Sequence, residues 1–405
     1  MAFIERLMGT AFYIDVALAI IFIGTIALFL LKNKKNVSFE KMAFPLLYAI
    51  LYRGKFGIAR MKKFVAKHRE AIKVFGYSSI GFGFFGMIAA VFLIAFVIYR
   101  MIANPAQATV APFLPFVEVP ILGYISFSHW IITIFVIVIV HESAHALVAM
   151  AHGLKVKNTG FGLFAIFIPF LPAAFVEPDD EALKKADDVV KYSVFAAGPM
   201  SNFVLFVPLL LILLFVITPV EGLLTGHNGF TFDIEHNETL PANMSGISSG
   251  TVFNTVNGNL VIDAREFSDI MYRTRPNESV MLAFVNEVGE TEYEYTLVTA
   301  VNPNNPEIGY IGVLNLRNNV FIKEEYSQYA GIVSWFKGLF LLMTEITFSL
   351  GLINLFPASI TDGGQMFSLY LEKVSSKKKL NKILILTLAL IFLAVIIFSF
   401  IRYFM

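Results

Sequence analysis

Long apolar runs alternate with short polar stretches along most of this chain. At about 20 residues per membrane crossing, the runs near 11–31, 76–99, 126–151, 192–217, 332–356 and 382–401 each predict a spanning helix. The first, Ala11 to Leu31, is long enough to span and lacks the short core and small-residue cleavage site of a removed signal peptide, so a retained helix is expected. Asn158 to Val176 is apolar too, but Gly160, Gly162, Pro169 and Pro172 break it, and Val, Ile and Phe are plentiful. Non-helical backbone at membrane depth survives only where protein shields it or where it lines a watery cavity. The segment therefore predicts a re-entrant β-hairpin, with a helix that tolerates its prolines as the alternative.

From about 221 to 328 the hydrophobicity falls and strand-and-turn patterns replace the long runs. Thr251-Val252-Phe253 precedes a turn at Val256-Asn257-Gly258; Ala264 to Arg273 suits a short helix; Val280 to Val285 and Tyr293 to Val298 suit strands around a Gly289 turn. This order resembles a PDZ domain, which binds extended peptides by adding a strand to an exposed edge. A plain extracytoplasmic plug or spacer is the alternative.

Composition and charge agree with the spans. Hydrophobic residues make up 57% of 405 and charged residues 15%, with a mean hydropathy of +0.71, too apolar for an ordinary soluble protein. The net charge of +1 hides a segregation of sign. Lys32, Lys34, Lys35, Lys41, Arg53, Lys55, Arg60, Lys62, Lys63, Lys67, Arg69 and Lys73 lie between the first two spans, which places that loop in the cytoplasm. Counting spans from there leaves 221–328 outside the cytosol, where Asp233, Glu235, Glu290, Glu292 and Glu294 make it acidic, and returns Lys373 and Lys377 to Lys379 inside. The expected fold is a polytopic α-helical membrane protein of about six spans, with a re-entrant β-hairpin and one small PDZ-like α+β domain. Its parts are 1–120, two N-terminal helices and the basic loop; 121–220, the first half of a membrane core; 221–328, the soluble domain; 329–375, the second half of the core; and 376–405, a last helix.

The third span carries His141-Glu142-Ser143-Ala144-His145 directly after the apolar run Ile131 to Val140. Imidazoles four residues apart on a helix share one face and can reach one Zn²⁺, while Glu142 can take a proton from a water that the metal activates. HExxH also arises by chance on solvated helices, but an ionisable cluster inside hydrocarbon is costly and marks function. A hydrolytic zinc usually has three protein ligands. With zero cysteines, the third must be carboxylate or imidazole, and Asp362, in Asn354-Leu355-Phe356-Pro357-Ala358-Ser359-Ile360-Thr361-Asp362-Gly363-Gly364, is the best candidate. The alternating topology puts it at the membrane face where the third span also ends.

With these elements in hand, and with Gly198-Pro199-Met200-Ser201-Asn202 in the fourth span, the chain resembles the site-2 proteases, intramembrane zinc metalloproteases with a PDZ-like insert. The resemblance covers roughly residues 120 to 375. It implies His141, His145 and Asp362 as zinc ligands, Glu142 as general base and Asn354 near the scissile carbonyl. It also implies that the hairpin pairs with an unwound substrate strand, so Gly160, Phe161 and Gly162, with Asn202, are the candidate substrate contacts. The residue before the aspartate is commonly Leu in that family; here Thr361 either hydrogen-bonds near the metal or faces water.

Implied partners are single-span membrane protein substrates, peptides at the PDZ-like domain and the lipid bilayer, with the active site toward the cytoplasm. Asn202 reads equally as glue between helices, and the Gly198-Pro199 step as a bend in its span. His68, His227 and His236 read as solvated loop residues. A zinc transporter, or a silent relative that only binds membrane proteins, is the rival function. No P-loop or dinucleotide fingerprint points to nucleotides or nucleic acid.

Overall fold

The computed structural model describes residues 2–43, 47–103, 113–119, 122–166, 168–235, 237–286, 288–303 and 305–404; His236 lies outside them. The chain forms two compact units, Met1–Leu214 with Phe336–Met405, and Phe215–Trp335.

In the first unit, α1 (Ala2–Lys32) is followed by β1 (Val37–Ala43), β2 (Leu47–Gly54) and the 46-residue α2 (Ile58–Ala103). At 1.5 Å per residue, α2 runs about 70 Å, more than twice a hydrocarbon core of about 30 Å. Only its later part fits the expected span; the earlier part carries Arg60, Lys62, Lys63 and Lys67 and breaks at His68 (φ −124°). The segment expected to be a basic loop is thus largely hairpin and helix. Two short strands, β3 (Glu118–Val119) and β4 (Gly123–Tyr124), lead into α3 (Phe127–Ala151). Next come β5 (Val156–Ile166), β6 (Ile168–Pro178), α4 (Asp180–Lys185) and α5 (Asp188–Ile212).

The predicted hairpin is β5–β6, and it belongs to a larger antiparallel sheet of order β1-β2-β5-β6. Nothing in the sequence announced β1 and β2 as its partners. Arg53 of β2 fastens the sheet across its width: its guanidinium donates to Glu40 at 2.5 Å and to Ser38 on β1, and to Glu177 on β6 at 2.7 Å. β5 is paired on both sides, so of the hairpin's two strands β6 is the one at a sheet edge, β1 forming the other edge.

In the second unit, α6 (Thr218–Leu224) enters β7 (Thr225–Ile234), and α7 (Pro241–Met244) precedes β8 (Val252–Phe253), β9 (Thr255–Val256) and β10 (Asn259–Leu260). Asn257 (φ 50°) and Gly258 (φ 77°) both take positive φ between β9 and β10, the backbone that a two-residue hairpin loop of right-handed twist needs. Then follow α8 (Ala264–Arg273), β11 (Ser279–Val285), β12 (Thr291–Val298), β13 (Ala300–Val301), β14 (Gly309–Tyr310) and β15 (Val313–Ile322). Asp263 caps α8 by accepting from the Glu266 N–H at 2.8 Å, which is why the helix starts where the sequence places it. Sheets of order β15-β7-β8 and β10-β9-β11-β12 enclose a core of Phe230, Phe232, Phe253, Phe267 and Leu282, each under 2% exposed.

α9 (Ser327–Leu355) starts in the second unit; the first resumes along it at Phe336 and continues in α10 (Asp362–Val374) and α11 (Lys378–Phe404). Among the described residues, six helices are long and apolar enough to cross a membrane. The core that positions the site packs Ile58, Val65 and Ile72 of α2 against Ala144, Ala146, Val148, Ala149 and Ala151 of α3 and Val194 and Ala197 of α5. Small side chains let these helices approach one another closely.

Candidate active site

His141 and His145 stand one turn apart on α3, both facing α5 and the start of α10. Their Nε2 atoms are 3.2 Å apart, and Asp362 Oδ2 lies 3.1 Å from the first and 3.5 Å from the second. All three ligand atoms fall within 4.8 Å of one another.

Asp362 reaches this point because of how α10 begins. Thr361 is the N-cap: its Oγ1 accepts from the Gly364 N–H at 3.1 Å and its hydroxyl lies near the carbonyls of Phe356 (2.5 Å) and Ala358 (2.9 Å). This settles the role of the departure from the family pattern, since Thr361 is 5% exposed and holds the turn rather than facing water. A Cβ on Gly364 would sit 1.6 Å from the Ala358 carbonyl oxygen, so only glycine lets α10 start against the 355–358 turn. Asp362 is then the first helical residue, where the helix N-terminus favours a negative charge.

The donor set fits a cation. A carbonyl oxygen only accepts, and Val194 O lies 2.6 Å from His145 Nδ1, so Nδ1 carries a proton and the neutral form of the ring presents its lone pair at Nε2. That lone pair faces a second imidazole nitrogen and a carboxylate oxygen. Three electron-rich atoms converging in a buried place repel unless a proton or a metal ion lies among them, and two imidazoles with a carboxylate are a usual zinc set. Gly198 forms the floor: a Cβ there would come within 2.2 Å of His145 Nε2 and 2.6 Å of His141 Nε2. Its role is therefore clearance beneath the imidazoles, in addition to any bend made by Pro199.

Glu142, next to His141 in the chain, accepts the Val176 N–H of β6 at 3.0 Å, which ties the carboxylate to the hairpin. Asn354 is the penultimate residue of α9, half-buried and eight residues before Asp362. Asn202, fully buried on α5, has Nδ2 at 3.2 Å from His141 Nδ1. Gly160, Phe161 and Gly162 lie in β5, where β2 and β6 already take the backbone pairing. Strand addition at these three is therefore closed, and the strand of the hairpin that lies at a sheet edge is β6. Phe161 and Gly162 instead line an apolar cleft of about 340 Å³ with Phe22, Ile134, Val138 and Ala174.

Sequence reasoning missed Val176 and Val194, which act through backbone atoms and carry no side-chain signal. Val194, Gly198 and Asn202 are spaced i, i+4, i+8, the same face rule that made HExxH legible, and that spacing was available.

The model of Peptidase family M50 matches residues 129–398. An uncharacterized protein of Methanocaldococcus jannaschii is 25% identical over 249 residues, 61% of this chain; the chain spans 58% of that relative's length. A solved PDZ domain of an SdrC-like protein from Listeria innocua matches 21% of this chain and 91% of its own at 20% identity, with a TM-score of 0.17.

Proposed function

Because the chain belongs to peptidase family M50, the site-2 protease family, we propose that it is a zinc-dependent endopeptidase that hydrolyses peptide bonds in or near the spanning segments of single-span membrane proteins. Family membership by itself implies a metallopeptidase. The observation that carries the finer reading is the convergence of His141, His145 and Asp362 on one point among helices apolar enough to cross a membrane, with Glu142 alongside.

His141, His145 and Asp362 would hold Zn²⁺, which when bound acidifies a water toward a pKa of about 7 and polarises a peptide carbonyl. Glu142 takes the proton of the attacking water and delivers it to the leaving amine. The carboxamide of Asn354 donates to the oxygen that becomes negative, a donor that needs no charge of its own. A substrate helix must unwind to expose its peptide bond, and each freed backbone group costs several kcal/mol in lipid unless it is paired. The edge of β6 meets that need. Residues 172, 174 and 176 send their backbone groups to the same side; Pro172 has no N–H and the Val176 N–H is held by Glu142, so pairing centres on the backbone of Ala174. The Phe161 and Gly162 cleft takes the apolar side chains of the same substrate.

In this reading the protein is multi-pass, its site lies toward the cytoplasm where the basic segments gather, and the Phe215–Trp335 unit lies outside and captures extended peptide in PDZ fashion. The test is cleavage of single-span reporters by purified wild type and Glu142→Gln, with zinc assayed in the same samples. Cleavage by wild type alone at equal zinc occupancy supports the proposal; equal cleavage by both, or no zinc in either, overturns it.

A further inference from the structure

Neutral imidazole has one N–H and one lone pair, so a histidine that ligates through Nε2 must carry its proton on Nδ1. For His145 that tautomer is fixed by the Val194 carbonyl, 2.6 Å away. For His141 the atom facing Nδ1 belongs to Asn202, at 3.2 Å. Asn202 is fully buried, and with Nδ2 toward the ring its Oδ1 meets no partner. In that direction the amide donates to Nδ1, which pushes the ring proton onto Nε2, the atom 3.1 Å from Asp362. A carboxamide has two ends of nearly equal size, one donating and one accepting. Turned over, Asn202 accepts Nδ1–H, its orphaned oxygen gains a partner, and the His141 Nε2 lone pair joins that of His145.

Val194, Gly198 and Asn202 lie at i, i+4 and i+8, one face of α5, opposite histidines at i and i+4 of α3. Val194 serves His145, Asn202 serves His141, and Gly198 keeps the space between them clear. We infer that this face of α5 sets the tautomer of both histidines, and that Asn202 is a positioning residue whose carboxamide oxygen holds His141 ready to ligate. This rests on the zinc reading above and adds to it a reason for an amide in that span other than contact with substrate.

The test is zinc affinity of the full-length protein in detergent, measured by competition with a chromogenic chelator, for wild type, Asn202→Leu, Asn202→Ala and Asn202→Asp, each checked for a cooperative melt. Loss of the partner of a metal-bound histidine costs about 10- to 100-fold in metal affinity. Asn202→Leu and Asn202→Ala are expected to bind zinc that much more weakly. Asn202→Asp, which keeps an acceptor and completes a carboxylate–histidine–metal chain, is expected to bind as wild type or tighter. A residue that merely packs gives the opposite order, with Leu close to wild type and the buried carboxylate worst. Asn202→Ala adds no bulk and keeps the question open to an answer if Asn202→Leu does not fold. Wild-type affinity in the Leu or Ala variant, or an Asp variant weaker than both, overturns the inference alone. Wild type that binds no zinc overturns the zinc reading and takes this inference with it.

Discussion

Polar residues are the exception in the unit that carries the site, whereas in the Phe215–Trp335 unit the distinctive feature is apolar crowding. α3 buries His141 (7% exposed) between Ile137 and Ala144, and what positions it is a short list of hydrogen bonds and one missing Cβ. The other unit stacks Phe230 on Phe267 with ring centroids 4.2 Å apart and surrounds them with Phe232 and Phe253. In the membrane setting proposed for the first unit, helix association gains nothing from hiding Leu or Ile, so small residues and polar contacts set geometry. Where water is the solvent, burying large rings is the main drive. Substitutions in the first unit should therefore alter chemistry and spare the fold, and those in the second the reverse.

The sharpest trial of that contrast is Glu142→Gln. It keeps size and burial but removes the proton acceptor, so cleavage should fall by about 10²- to 10⁴-fold, while zinc content and hydrogen-exchange protection of the second unit stay unchanged. A variant that unfolds instead would break the comparison at its strongest point. Gly198→Ala comes next. Alanine is worth up to about 1 kcal/mol over glycine in a helix interior, yet its Cβ would intrude to 2.2 Å from His145 Nε2. Chelator competition should show zinc affinity down by at least the roughly 10- to 100-fold that a disturbed ligand support costs, with no loss in melting temperature.

Phe253→Ala probes the other side. Phe253 is fully buried among Phe230, Phe232, Tyr293 and Tyr295, and truncating such a ring costs about 3–5 kcal/mol. Exchange protection of β7 and β11 amides in the full-length protein should drop by that amount while zinc affinity holds. A fall in zinc affinity would mean that the two units are energetically joined.

The same contrast decides what the sequence reveals. His141 and His145 were legible because ionisable residues after an apolar run stand out, Asp362 because a zinc site without cysteine needs a third ligand, and α8 and the Asn257-Gly258 turn because capping and positive φ are local. β1 and β2 were not, since Leu47 finds its partner Ile166 more than a hundred residues later and the lysines around them read as a loop. β7 and β15 pair at Thr231 and Arg317 across a similar gap and were equally hidden. Backbone partners such as Val176 and Val194 leave no mark on side-chain chemistry at all. The hairpin that holds Gly160 to Gly162 was legible, but not that β2 pairs with β5 from its other side, since β2 lies more than a hundred residues earlier.

The smallest expected effect is electrostatic and sits on the β7–β15 ribbon. Arg317, then Asn315, hold Asp233 below the ordinary carboxylate range; Arg317 makes two hydrogen bonds to it, at 3.1 and 3.2 Å. A carboxylate with a depressed folded-state pKa stabilises the fold above its unfolded pKa of about 3.9, and that contribution is lost as pH falls through the lower folded value. The pair is solvated, with Asp233 33% and Arg317 52% exposed at the side chain, so its worth is below about 1 kcal/mol. Arg317→Ala should lower exchange protection of the Phe215–Trp335 unit by less than that at pH 6, and the gap to wild type should close as pH drops below 3. A gap that persists at low pH would mean that Arg317 acts through the packing of its aliphatic stem on the ribbon, and that even the charged rim of this unit is governed by apolar contact.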